Sequence, residues 1–275
     1  MMGDMRFVDM HVHSRASDGT RTPDEIVSLA VEKGIGMLSV ADHDTIASQE
    51  RMVRLCEGRD IRYIPGVELD ALDGDDHYHI LAYDFDIYDA GFREWMSHCR
   101  YALDEMSVRL IEKMAYDYEN ISFASYTDFP DMAGCGGWKA LHYLVSRGVS
   151  RTLRDGFKFY PQYGIVYSKA GFPTVRTVCD RVNRAGGYAV LAHPGEMIDT
   201  ACVGRFKDAL RGLLTKGIQG IECYYPHHTD EITEACLAVC GEKSLYITSG
   251  SDDHGSFGKE EIGQMMADCD MVWVR

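Results

Sequence analysis

His11 and His13 are separated by one residue in Phe7-Val8-Asp9-Met10-His11-Val12-His13, a run that reads as a β-strand. Successive side chains on a strand point to opposite faces, so both imidazoles face the same way and can reach one cation at the strand end. Asp18 follows in a loop broken by Gly19 and can bend a carboxylate back towards them. Standing alone, such a pair is more often a buried strand with one hydrogen-bonded imidazole. The rest of the sequence argues for chemistry. Further donors recur around apolar, strand-like runs: His43 in Ala41-Asp42-His43-Asp44, Glu68 after 63–67, His79 within 78–83, His193 after 188–192, and Asp252 and His254 after 245–249. Six of the eleven histidines fall at or just after strand ends, where random placement would scatter them over helices and loops. Mixed imidazole and carboxylate ligands suit Zn²⁺, Mn²⁺ or Fe²⁺ rather than Ca²⁺ or Mg²⁺ alone. Nine donors exceed the needs of one ion, so two or three ions sharing a bridging carboxylate or hydroxide is the economical count. Such a cluster lowers the pKa of bound water and clamps attacking and leaving oxygens, which is phosphoester chemistry.

The elements that must position these donors follow a strand–helix rhythm. Thr22-Pro23-Asp24-Glu25 opens a helix with a capping hydroxyl, a first-turn proline and acids at the positive dipole end. Gly34 ends it, a short apolar strand covers 37–40, and a second helix runs over 46–56. Strands at 63–67 and 78–83 follow. The rhythm returns at Thr174, with a helix to Gly186-Gly187, the strand 188–192, a helix through Phe206 and Leu213, a strand before Glu222, a helix over 231–240 and the strand 245–249. A last strand is expected at 271–274. Alternation with short links indicates a parallel sheet or barrel, whose active sites lie at the C-terminal ends of the strands. Between 88 and 169 the rhythm breaks. Trp95, Cys99, Ala102, Met106, Leu110 and Met114 mark a long amphipathic helix, and a second helix covers 138–147. We expect a barrel from residues 1–87 and 170–275, with 88–169 as a mainly helical insertion over its mouth.

The 275-residue chain is 45% hydrophobic with a net charge of −15, which suits one large domain with an insertion and disfavours a non-specific nucleic-acid surface. No apolar run spans a bilayer, and residues 1–6 lack the apolar core of a signal peptide. Nine cysteines without zinc-ribbon spacing read as reduced thiols and a cytoplasmic chain.

Asp9-Met10-His11-Val12-His13-Ser14 with Ser17-Asp18-Gly19, Ala41-Asp42-His43-Asp44-Thr45, Gly66-Val67-Glu68, Ala192-His193-Pro194-Gly195 and Gly250-Ser251-Asp252-Asp253-His254-Gly255 resemble, in this order, the PHP (polymerase and histidinol phosphatase) family. The likeness is greatest to its stand-alone metal-dependent phosphoesterases and covers nearly the whole chain. It implies an α/β fold, a distorted (β/α)7 barrel with a helical insertion, and a trinuclear metal centre. His11, His13, Glu68 and Asp252 would hold one ion; Glu68 would bridge to a second held by His79 and His193; Asp18, His43 and His254 would hold the third. A bridging hydroxide would attack phosphorus, with Asp252 in the catalytic set. By the same resemblance His228, after Glu222-Cys223-Tyr224, would bind phosphate or protonate the leaving oxygen; an exposed loop histidine beside His227 is the bland alternative. Arg15, in the first metal loop, is a candidate anion contact. Nucleotide-specific relatives carry an Arg and a His near the second insertion helix. Here Gly136-Gly137-Trp138-Lys139-Ala140-Leu141-His142 offers Lys139 for one cation, a point charge where Arg would give a bidentate fork.

The expected activity is hydrolysis of a small phosphate ester: a nucleotide, nucleoside bisphosphate or sugar phosphate. A cyclic-phosphate diesterase that goes on to release phosphate is the alternative. A metal-dependent C–N hydrolase is disfavoured because no Lys sits at a strand end, and a non-catalytic module because all nine donors are present. Two or three divalent ions (Mn, Zn or Fe) are the expected cofactors and a small phosphorylated molecule the partner, without stable nucleic-acid or membrane binding. The oligomeric state is left open.

Overall fold

The computed structural model describes residues 7–272. β1 (Phe7–Val12), β2 (Ile35–Val40) and β3 (Arg62–Tyr63) pair in parallel as one sheet. β4 (Gly66–Asp73), β5 (Asp76–Tyr83), β6 (Tyr188–Leu191), β7 (Gly220–Tyr224) and β8 (Tyr246–Ser249) form a second sheet in that order. Within it β4–β5 and β5–β6 are antiparallel, and β6–β7–β8 are parallel.

The (β/α)7 barrel expected from sequence is therefore described differently: the strands stand in two sheets that touch along two seams, and no closed barrel is found among the described residues. At one seam Val12 bridges Asp253 and the Asp252 N–H donates to the His11 carbonyl at 2.7 Å. At the other His43 bridges Glu68, and the Asp44 N–H donates to the Glu68 carbonyl at 2.9 Å. The β4–β5 hairpin is the physical reason for the departure. Only Gly74 and Asp75 separate the two strands, Gly74 taking φ +67°, so the chain reverses without a crossover helix. Consequently Glu68 and His79 sit inside antiparallel strands rather than at the ends of parallel ones.

Strand residues are apolar towards three layers. Between the sheets lie Val8, Met10, Leu81, Tyr83, Tyr188 and Val190, all buried. The Tyr83 hydroxyl, fully buried there, donates to the Met10 carbonyl at 2.8 Å and so leaves no unmet donor. Helices Pro23–Glu32 and Gln49–Cys56 cover the first sheet through Ile26, Ala30 and Met52. Helices Val175–Arg184, Val203–Leu214 and Asp230–Lys243 cover the second, against Val67, Leu69, Ile80 and Ile221. The Thr22 hydroxyl accepts from the Glu25 N–H, and the Glu25 carboxylate accepts from the Thr22 N–H, the reciprocal cap its sequence implies.

The long helix after β5 spans Ala90–Met114 and links two cores. Its first turns, Phe92 and Met96, pack with the second sheet. Its later turns, Leu103, Met106, Leu110 and Met114, pack with Tyr126, Tyr143, Leu144 and Phe159 in a separate cluster. At the C-terminal end, Cys269–Met271 is a short 3-10 turn where the sequence suggests a strand over 271–274, and 273–274 lie outside the described residues. The signal-peptide reading of residues 1–6 also falls outside them. Among the described residues no helix is long and apolar enough to cross a membrane.

Candidate metal centre

Glu68 is the hub of the site. It is 1% exposed, and its two oxygens each face several imidazoles. Oε1 lies 2.9 Å from His79 Nδ1 and 3.0 Å from His193 Nε2. Oε2 lies 3.3 Å from His11 Nε2, His13 Nε2 and His43 Nδ1. His11 and His13 point the same way, as strand alternation requires, with their Nε2 atoms 3.2 Å apart. Asp252 Oδ1 closes this group at 3.0 Å from His13 Nε2 and 3.4 Å from His11 Nε2. On the far side of His13, the His254 ring stacks at a centroid distance of 4.0 Å, and its Nε2 is 3.3 Å from Asp18 Oδ1. Ligand atoms of His13, Asp18, His43 and His254 form one potential metal group, those of His11, His13, Glu68 and Asp252 a second, and those of His43, Glu68 and His79 a third. His193 adjoins the last, 3.3 Å from His79 Nδ1. All nine donors singled out in the sequence therefore converge on one place.

The surrounding chain is built to hold them. Asp42 is fully buried and accepts from the Ser14 N–H, the Ser14 hydroxyl and the Ser17 hydroxyl at 2.8 Å each, and from the Ser48 hydroxyl at 2.6 Å. These bonds fix the loop that carries His13 and Asp18. Glu222 accepts from His11 Nδ1–H at 3.1 Å and from the His193 N–H at 2.8 Å, which sets the His11 tautomer so that Nε2 faces the centre. Asp9 accepts from the backbone N–H groups of Ser251 and Gly263, and burial pushes its carboxyl up to about 6 against those bonds. Gly250 allows β8 to pass His11, since a Cβ there would collide with the His11 Cβ. Asp44, His193 and Asp252 all adopt positive φ (47°, 24° and 60°), a conformation that costs an L-residue energy and clusters at functional sites.

The electrostatics follow from this crowding. Burial alone would raise the Glu68 carboxyl, but His79, His11 and His43 outweigh it and hold the group well below the usual carboxylate range. Burial opposes charge on His254, yet Asp18 and Asp252 push its imidazole up to about 10. Burial prevails at His43, drawing it down to about 4 despite Glu68 and Asp18.

The donor set fits divalent metal ions. Buried His13 Nδ1, His43 Nδ1, Glu68 Oε2, His193 Nδ1 and Asp252 Oδ1 make no hydrogen bond, although leaving polar atoms unmet in a protein interior costs roughly 1–3 kcal/mol each. Imidazoles and carboxylates that face one another without hydrogen-bond geometry offer lone pairs to a shared cation.

Beside the centre lies a cavity of ≈400 Å³ lined by Trp138, Tyr126, Tyr160, Tyr167 and Phe157, with Arg15, Arg100 and Lys139 among its polar groups. The Trp138 ring is 5.8 Å from that of His43, and the Arg100 guanidinium lies over Trp138 at 5.4 Å. Lys139 Nζ lies over the Tyr126 ring at 5.0 Å and donates to the Thr127 carbonyl. Arg15 and Lys139 thus both stand at this cavity. His228 does not have the freedom its expected role needs: its Nδ1 is engaged by the Cys223 carbonyl at 3.1 Å, and its Nε2 accepts from the Gly195 N–H at 3.0 Å. As placed, it has no ring nitrogen left for a phosphate.

Sequence reasoning gave no role to Glu222, Asp42, Asp70 or His77, although the first two lie in motifs it quoted. The last two carry the signal that identified His11 and His13: Glu68-x-Asp70 and His77-x-His79 alternate on facing strands. Glu222 and Asp42 had no such periodicity, and only the fold shows what they touch. Tyr225 was likewise unmarked; its hydroxyl donates to Asp252 Oδ2 at 3.3 Å.

The PHP domain profile matches residues 9–134. The chain is 31% identical to the 5'-3' exoribonuclease Rnm of Salmonella typhimurium, over 96% of this chain and 92% of that one. It is 27% identical to the phosphoribosyl 1,2-cyclic phosphate 1,2-diphosphodiesterase of Eggerthella lenta, over 91% and 95%. A solved structure from Bifidobacterium adolescentis, named for a metal-dependent phosphoesterase, superposes with a TM-score of 0.76 at 25% identity, covering 95% of this chain and 92% of that one. Likeness of this extent, joined to a buried convergence of imidazoles and carboxylates, places the chain in the PHP family, and it is a metal-dependent phosphoesterase.

Proposed function

We propose that this chain hydrolyses the phosphate ester of a nucleotide whose base or sugar occupies the aromatic cavity beside Glu68. The carrying observation is that cavity: ≈400 Å³ is the size of a small-ligand site, and its aromatic walls with Arg15, Arg100 and Lys139 suit a flat ring attached to an anion. His11, His13, Asp18, His43, Glu68, His79, His193, Asp252 and His254 would hold two or three divalent ions, Mn²⁺, Zn²⁺ or Fe²⁺. Such ions supply an activated water and neutralise phosphoryl charge.

The chain's own groups do the remaining work. Glu222 and Asp42 keep the His11 ring and the His13–Asp18 loop in one orientation, so little reorganisation accompanies the reaction. Arg15, on the loop between His13 and Asp18, faces the cavity and would bind a phosphate oxygen at its entrance. Trp138 and Tyr126, backed by Arg100 and Lys139, would stack the leaving group and exclude water from that side. Residues 88–169 serve in this reading as an insertion that walls the cavity, set on a barrel-like body of 1–87 and 170–275. The nine free cysteines accord with a reducing, cytoplasmic setting.

A second reading has specific support. The relative at 31% identity is named as an exoribonuclease, so the nucleotide could be the terminal residue of an RNA, a departure from the expectation of no nucleic-acid partner. The net charge of −15 argues that any grip on RNA is confined to the end in the cavity. Phosphate and nucleotide release should be measured with Mn²⁺-loaded protein on nucleoside 3',5'-bisphosphates, phosphoribosyl cyclic phosphates, sugar phosphates and 5'-phosphorylated oligoribonucleotides. Turnover of a nucleotide or RNA end supports the proposal. Turnover confined to sugar phosphates, or silence across the panel, overturns it.

A further inference from the structure

The cavity beside the metal centre holds a polar pair that the phosphate chemistry does not use. Ser107 lies on the long helix Ala90–Met114 and Tyr160 on the short helix Phe159–Gln162, and both line the cavity. Their hydroxyls are 2.8 Å apart, and among the described residues each has only the other as a hydrogen-bond partner. A hydroxyl carries an O–H and two lone pairs, so their mutual bond leaves one O–H and several lone pairs unused. The surroundings are apolar. Met106 and Pro161 flank the pair in the chain and line the same cavity, and the Phe157 ring lies 6.4 Å from that of Tyr160. Burial pushes the Tyr160 hydroxyl up to about 12, so it stays a neutral donor at neutral pH.

Position along the long helix tells which part of a ligand meets this pair. Arg100, Asp104 and Ser107 recur at the spacing of one helical face. Ser107 stands two turns, roughly 10 Å, beyond Arg100. Arg100 marks the end next to the metal centre: its guanidinium lies over Trp138 at 5.4 Å, and the Trp138 ring is 5.8 Å from that of His43. Asp104, between them on the helix, is paired with Arg100 at 3.1 Å. A neutral pair among apolar side chains suits the polar edge of a flat heterocycle, whereas a second phosphate calls for cations. We propose that the Ser107 and Tyr160 hydroxyls read the base of the substrate, which rests on the cavity holding a nucleotide. Adenine presents an amino donor where guanine presents a carbonyl acceptor. Hydroxyls rotate, so the pair answers either edge and the site accepts both purines.

The full Mn²⁺-loaded chain should be assayed on adenosine and guanosine 3',5'-bisphosphates and on ribose 3,5-bisphosphate, which lacks a base. Wild type, Tyr160→Phe and Ser107→Ala are compared, with circular dichroism to verify folding. Each variant keeps the packing and removes one hydroxyl. Each is expected to raise KM for both purine substrates by about 5–50-fold with kcat near wild type, and to leave the KM, or the competitive Ki, of ribose 3,5-bisphosphate unchanged. Unchanged KM for the purine substrates in folded variants overturns the proposal while leaving the nucleotide reading standing, as does a rise for one purine alone. An equal rise for ribose 3,5-bisphosphate also overturns it and gives the pair a sugar contact or a purely structural role. Wild type that takes the baseless compound as readily as the purine ones overturns the nucleotide reading itself.

Discussion

Replacing Glu222 by Gln tests whether the centre depends on a buried carboxylate that holds no substrate. Both Glu222 oxygens accept: Oε1 from His11 Nδ1–H at 3.1 Å, and Oε2 from the His193 N–H at 2.8 Å. A Gln side chain of the same shape has one acceptor oxygen, and its NH₂ would face a second donor. Either His11 loses the bond that fixes its tautomer or the His193 backbone, already at φ 24°, loses its anchor. Partners of this kind set metal affinity or activity by about 10–100-fold, equivalent to roughly 1.4–2.7 kcal/mol. An unmet buried donor should lower fold stability by a further ~1–3 kcal/mol. Glu222→Gln is therefore expected to require more Mn²⁺ for half-maximal phosphate release and to show a lower kcat/KM by about that factor. Metal titration alongside urea unfolding would measure both effects. A variant that matches wild type in metal affinity and turnover would refute the orienting role of Glu222.

Three further outcomes follow from named contacts. Trp138→Ala should raise KM by about 10–100-fold with little change in kcat, because stacking a base on an aromatic ring is worth ~1–3 kcal/mol; an unchanged KM for nucleotide substrates would remove Trp138 from the cavity's function. His228→Ala should lower stability by ~1–3 kcal/mol through loss of its two backbone hydrogen bonds, yet leave kcat close to wild type; a collapse of kcat in a well-folded variant would restore His228 to the chemistry. In the metal-free chain, burial opposes but Glu68 and its neighbours raise His11 and His79 well above the ordinary imidazole value, and Asp18 and Asp252 bring His254 to about 10. These rings hold protons at pH 7 that metal must displace, so metal affinity should increase with pH. Calorimetry in buffers of different ionisation enthalpy should register proton release, and none released would contradict that assignment.

How much of this was legible in the sequence depended on periodicity. His11-x-His13 and Asp252-x-His254 announced themselves because strand alternation needs only local spacing. The later motifs brought in Asp18, His43, Glu68 and His193, and the strand 78–83 brought in His79; the structure gathers His43, His79 and His193 around Glu68 and sets Asp18 against His254. The barrel geometry was less legible, because the strand–helix rhythm implies parallel strands, whereas Gly74 and Asp75 form a two-residue hairpin turn that reverses the sheet. The surroundings of His228 were illegible for a related reason: a histidine's type says nothing about what its nitrogens meet, and here Gly195 and Cys223 engage both. Asp42 and Glu222 act at long range, on residues 28 and 211 positions away, which no local pattern encodes.

The central claim is that Glu68 ties the imidazoles into a centre for several ions. Its most direct test is manganese bound per chain in wild type and in Glu68→Gln after identical loading and desalting. At least two equivalents in wild type, with most of them lost from a folded Glu68→Gln, is the predicted result. Equal retention by both proteins, or none by either, would contradict it.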